Sequence, residues 1–135
     1  MVDNIVIYNK LSSDAMGLLD EARMYINNEL TLDAISQPIS SDMVIIRESM
    51  SLTTRLSFAV SWLIAYEGAL EGEILFSDLC SSKYELSTNE ICMNRYNGKP
   101  SALPPKLRDF ISRSHSLYER IIRVERMICC KKVMS

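Results

Sequence analysis

The single histidine, His115, lies in the stretch SRSHSLYE, with serine hydroxyls beside it and Glu119 one helical turn further on. Serine, imidazole and carboxylate are the groups of a hydrolase triad, in which the imidazole takes the proton of the attacking hydroxyl. Neighbouring serines, however, point to different sides of a helix, and neither a strained nucleophile turn nor a glycine-rich oxyanion loop accompanies them. The cysteines Cys80, Cys92, Cys129 and Cys130 could supply thiolates. A zinc site drawing on Cys80, Cys92 and His115 lacks paired spacing, and the adjacent Cys129 and Cys130 cannot easily both ligate one ion. A di-iron bundle needs two Glu-x-x-His motifs, for which one histidine is too few. No phosphate loop or dinucleotide fingerprint is present. The expectation is therefore a non-enzymatic protein with no catalytic residues, no metal and no cofactor. With no C-x-x-C pair and no signal peptide, all four cysteines are expected to be reduced thiols in a cytoplasm.

A chain of 135 residues is the size of one domain with one core, so a single domain over 1–135 is expected. Its 47% hydrophobic and 24% charged residues are ordinary for a globular protein. Four glycines and four prolines leave few tight turns, which favours long helices over a many-stranded sheet. The most apolar stretch, Leu56 to Tyr66, is bracketed by Arg55 and Glu67. A spanning helix needs about 20 apolar residues, so no membrane role is expected. The net charge of −2 is unevenly divided: residues 1–98 carry −8 and residues 99–135 carry +6. A basic segment can bind nucleic acid, giving the rival reading of a DNA- or RNA-associated regulatory protein that uses its third helix. The reading preferred here packs that basic helix against acidic neighbours.

Three helices follow from the 3.6-residue period, at approximately 11–28, 41–70 and 104–129. The first places Leu11, Ala15, Leu18, Ala22 and Tyr25 on one stripe. The second carries Ile45, Leu52, Leu56, Ala59, Leu63, Tyr66 and Leu70 on a core stripe. A further apolar stripe runs through Ile46, Met50, Thr53, Ser57, Val60 and Ile64. Two apolar faces suggest two packing partners, making this the central helix. The third repeats Leu107, Ile111, Ser114, Leu117, Ile121, Val124 and Ile128. The predicted fold is all-α: a three-helix bundle with a long central helix and an irregular crossover before the third. The N-terminal NIVIY is expected to lie on the bundle as an extended arm.

The remaining face of the central helix carries Glu48, Ser51, Arg55, Phe58, Trp62 and Tyr66. Two readings stay open for it. The crossover or the N-terminal arm covers the aromatics, or Glu48, Arg55, Phe58, Trp62 and Tyr66 form a partner-binding patch of aromatic anchors beside an arginine. Self-association into a homodimer would use the same chemistry.

The segment RESMSLTTRLSFAVSWLIAYEGALEGEI, residues 47–74, preceded by GLLDEARMYI, resembles the family called regulator of CtrA degradation. The likeness is densest over ESMSLTTRL, SWL and EGEI, and the helix order extends it over most of the chain. It implies a three-helix bundle without enzymatic activity, acting in the alphaproteobacterial cytoplasm as an adaptor for the ClpXP protease. Its implied partners are ClpXP with a priming response regulator, other adaptor proteins, and cargo proteins that include cell-cycle regulators such as CtrA.

Overall fold

The isoleucine- and valine-rich start of the chain is helical. Residues 4–8 belong to α1, Val2–Asn28, which corrects the expectation of an extended arm. Branched side chains cost a helix only a few tenths of a kcal/mol each. Helical phase brings Tyr8 onto the same stripe as Leu11, Ala15 and Leu18. There it meets Tyr66 edge-on at 6.0 Å and donates a hydrogen bond to Glu67 Oε2 at 2.9 Å. Those contacts outweigh local preference.

The computed structural model describes residues 2–81, 86 and 89–134, with side chains described for 5–81, 86 and 89–129. After α1 come α2 (Leu30–Ile35), a 3-10 turn at Ile39–Ser41, α3 (Asp42–Leu70), α4 (Phe76–Leu79), α5 (Glu90–Met93), a second 3-10 turn at Pro100–Ala102, and α6 (Pro105–Met134). The long helices α1, α3 and α6 form the all-α bundle, and the irregular crossover lies between α3 and α6. Among the described residues no helix is long and apolar enough to cross a membrane.

The extra helix α2 folds back because Tyr25 Oη donates to Asp33 Oδ2 at 2.8 Å. α3 stops at a Schellman turn. Gly72, at φ 80°, supplies the left-handed residue, and the Glu73 amide donates to the Gly68 carbonyl at 2.8 Å. A residue with a Cβ would be strained at that φ.

The core contains Leu11, Ala15, Leu18, Ala22 and Tyr25 of α1, and Leu107, Ile111, Leu117 and Ile121 of α6. From α3 come Ile45, Leu52, Leu56, Ala59, Leu63 and Tyr66, with Leu70 half-buried. The second inward face of α3 is not the one expected. Arg55, Trp62 and Ala69 are buried, whereas Ile46, Met50 and Ile64 are exposed. Apolar periodicity alone favoured the wrong stripe, because the interior here accepts an arginine whose hydrogen-bond partners come from distant segments.

Along the surface between α1 and α6, Lys106 meets Glu29 at 2.7 Å, Arg113 meets Glu21 at 2.6 Å and Arg120 meets Asp14 at 2.9 Å. The residue numbers fall on α1 as they rise on α6, so the pairs mark an antiparallel register. Each is exposed and contributes little stability alone. Together they connect the acidic N-terminal part of the chain with its basic C-terminal part.

The reading of four reduced thiols is corrected at two positions. Cys80, just after α4, is disulfide-bonded to Cys129 in α6, with Cα atoms 5.5 Å apart across 49 residues of sequence. Sequence spacing cannot reveal a proximity that depends on how the crossover returns to α6. Cys92 is a free buried thiol, and burial raises its pKa. The Cys130 thiol lies outside the described side chains.

Candidate functional site

Of the five residues proposed to bind a partner, only Phe58 reaches the surface appreciably, at 45% exposure. Arg55 and Trp62 are each 1% exposed, Tyr66 is fully buried, and Glu48 is buried at 8%. Trp62 and Tyr66 pack with ring centroids 5.2 Å apart. The partner-binding patch is corrected accordingly: Glu48, Arg55, Trp62 and Tyr66 form interior contacts, and α1 and the crossover cover much of what was expected to be an open face.

Arg55 joins three parts of the chain. Its Nε donates to the Cys92 carbonyl at 2.9 Å, and Nη1 donates to Ser114 Oγ at 2.8 Å. Burial pulls its pKa below the ordinary guanidinium value, while the charge of Glu48 opposes that shift. Asn89 caps α5 by accepting from the Cys92 amide at 3.0 Å. Arg55 therefore holds the small helix α5 against α3. Earlier in the crossover, the Leu86 amide donates to Glu125 Oε2 at 3.1 Å, and Tyr118 Oη donates to the Leu86 carbonyl at 2.9 Å.

Two residues of that triad have other partners. Ser114 donates to the Ile111 carbonyl at 2.7 Å, and Glu119 pairs with Arg95 at the surface. His115 is 5% exposed. Burial first, then the charges of Arg55 and Arg95, lower its pKa from 6.5 to about 4, with Glu119 opposing. The folded protein thus keeps His115 neutral where the unfolded chain would protonate it. Its contribution to stability is fully present above pH 6.5 and is lost as pH falls towards 4. Urea midpoints should fall across that window. A His115→Gln variant should lose less stability over the same range, and an identical decline would show that other groups carry the acid sensitivity.

The exposed stripe of α3 lines a functional candidate that sequence reasoning missed. Met43, Ile46 and Met50 are 75%, 54% and 65% exposed and form the floor of an open groove of about 930 Å³. Ile91 of α5 and the segment 94–97 form its opposite wall. A smaller hollow of about 530 Å³ lies between α2 and the start of α3, and Ile46 borders both. The apolar surface is therefore continuous past that residue. Contiguous exposed apolar surface of this kind marks interaction sites. The available signal was the a/d-like spacing of Met43, Ile46 and Met50. The polar residues Thr53 and Ser57 that follow on the stripe indicated which way it faces.

No curated protein matches the chain. Among solved structures, the crystal structure of RcdA from Caulobacter crescentus CB15 is similar, with 25% sequence identity, a TM-score of 0.73 and coverage of 90% of each chain. The family described as "Protein of unknown function (DUF1465)" matches residues 4–135. This is the RcdA family, and a match of that extent over a shared three-helix architecture means that the chain belongs to it.

Proposed function

We propose that this protein is a non-enzymatic cytoplasmic adaptor that promotes ClpXP-dependent degradation of cell-cycle regulators such as CtrA. The reading draws on the likeness to RcdA over 90% of both chains. The observation on which it rests is the exposed apolar floor of Met43, Ile46 and Met50, set in a groove large enough to receive part of another protein. Its partners are the protease with its priming response regulator, other adaptor proteins, cargo, and a second copy of the chain.

The rival nucleic-acid reading needs free cations on α6. Among the described residues Lys106, Arg113 and Arg120 engage carboxylates of α1, while Arg108, Arg123 and Arg126 are exposed outside those pairs, so phosphate would have three cations of α6 directly and would displace ion pairs to reach the rest.

A reconstituted degradation assay tests the adaptor reading. ClpXP, the priming regulator and cargo from the native organism are mixed with and without this protein. The expected result is faster cargo loss at unchanged ATPase and peptidase capacity, with that acceleration diminished when Met50→Asp places a charge on the groove floor. Equal cargo half-lives with and without the protein would refute the adaptor reading.

A further inference from the structure

We propose that the groove between α3 and segment 94–97 receives an amphipathic helix of a partner protein whose polar edge is acidic. This rests on the adaptor reading and assigns its docking site a partner chemistry.

The floor supplies the first half of the match. Met43, Ile46 and Met50 follow one helical stripe, and Ile91 faces them across the trough. A helix with apolar residues at three- and four-residue intervals would contact both sides at once.

Charge selects the edge. Arg47 stands on one wall and Arg95 on the other, with side chains 66% and 59% exposed. The acidic residue lining the groove, Glu48, has a side chain only 10% exposed and lies within the electrostatic reach of buried Arg55. Arg47 contacts Glu48 through Nε at 3.4 Å, a long contact. The Arg95–Glu119 pair is exposed on both sides, so an incoming carboxylate can compete for Arg95. The groove thus presents cations from two walls within a part of the chain whose net charge is −8. An acidic helix would be attracted there and repelled by much of the surrounding surface.

A second copy fits this charge pattern less well. A two-fold pairing centred on the same floor would bring Arg47 near its own symmetry mate, and the like charges would oppose contact.

The test uses the full chain and two fluorescein-labelled model helices. Both have the same leucine and isoleucine face, but one has glutamates along its edge and the other lysines. Anisotropy titrations at low salt should show the acidic helix binding at least tenfold more tightly. Arg47→Glu should abolish that preference without changing the melting temperature. Lys10→Glu makes the same change in net charge near Tyr8 and Tyr66, roughly 24 Å from Met50 along α3, and should leave the preference intact. Met50→Asp should weaken binding of the acidic helix.

Equal binding of the two helices, stronger binding of the basic one, or equal effects of Arg47→Glu and Lys10→Glu would overturn the proposal. So would a Met50→Asp variant that retains acidic-helix affinity, or one that only changes oligomeric state in sedimentation. The degradation assay separates this from the broader reading: cargo acceleration without acidic-helix selectivity removes the partner chemistry alone, whereas helix selectivity without acceleration removes the adaptor function.

Discussion

Replacing Arg55 by Ala should destabilise the protein by about 4 kcal/mol, a large part of the roughly 5–15 kcal/mol that holds a domain of this kind folded. The guanidinium is buried, so its loss creates a cavity. It also leaves the Cys92 carbonyl and Ser114 Oγ without the donor that reaches them now. Arg55→Leu should cost less because it fills more of the space, although it restores neither hydrogen bond. Arg55→Glu should cost most, placing a carboxylate opposite a backbone carbonyl and near Glu48. Urea unfolding of the three variants checks the order. If Arg55→Glu stays within about 0.5 kcal/mol of wild type, the residue behaves as a surface group and the interior assignment fails.

Reduction of Cys80–Cys129 should lower stability by a comparable amount. The bond joins positions 49 residues apart. In the chain-entropy treatment, a loop of that length removes about 4 kcal/mol of freedom from the unfolded state. The folded contacts around Leu79, Leu86 and Glu125 remain when the bond is cut, so the reduced protein should still fold but unfold at lower urea. Cys80→Ser should lie near the reduced wild type and show no further response to dithiothreitol. Coincident unfolding curves for oxidised and reduced wild type would show that the bond does not constrain this chain. The half-buried positions of both cysteines leave a small thiol a route to them.

Helix type was legible in the sequence, but the orientation of one face was not. Leu11 to Tyr25 and Leu107 to Ile121 repeat at helical spacing, and those stripes are buried because each has a single apolar side. α3 carries apolar residues on more than one side. Choosing between its faces required knowing that the Cys92 carbonyl and Ser114 would meet Arg55, information held 37 and 59 residues away. The start of α1 was missed for a similar reason, since Tyr66 and Glu67 stabilise Tyr8 from another helix. The groove has one wall from α3 and the other from 91–97, so no local window contains it. The family likeness was carried by the α3 segment itself, which is why it could be read before the face was correctly oriented.

The location of Arg55's partners also orders events during synthesis. α1 and α3 are complete before either Cys92 or Ser114 has been added to the chain. A nascent α1–α3 hairpin can begin to bring Leu18 and Leu56 out of water, but it has no acceptor from either later segment for the cation beside them. Arg55 faces the ground that α5 and α6 later cover, so in such a hairpin its guanidinium stays in water. The charge therefore leaves water only when α5 and α6 dock, and those segments bring its acceptors with them, so desolvation and hydrogen bonding fall in one late step.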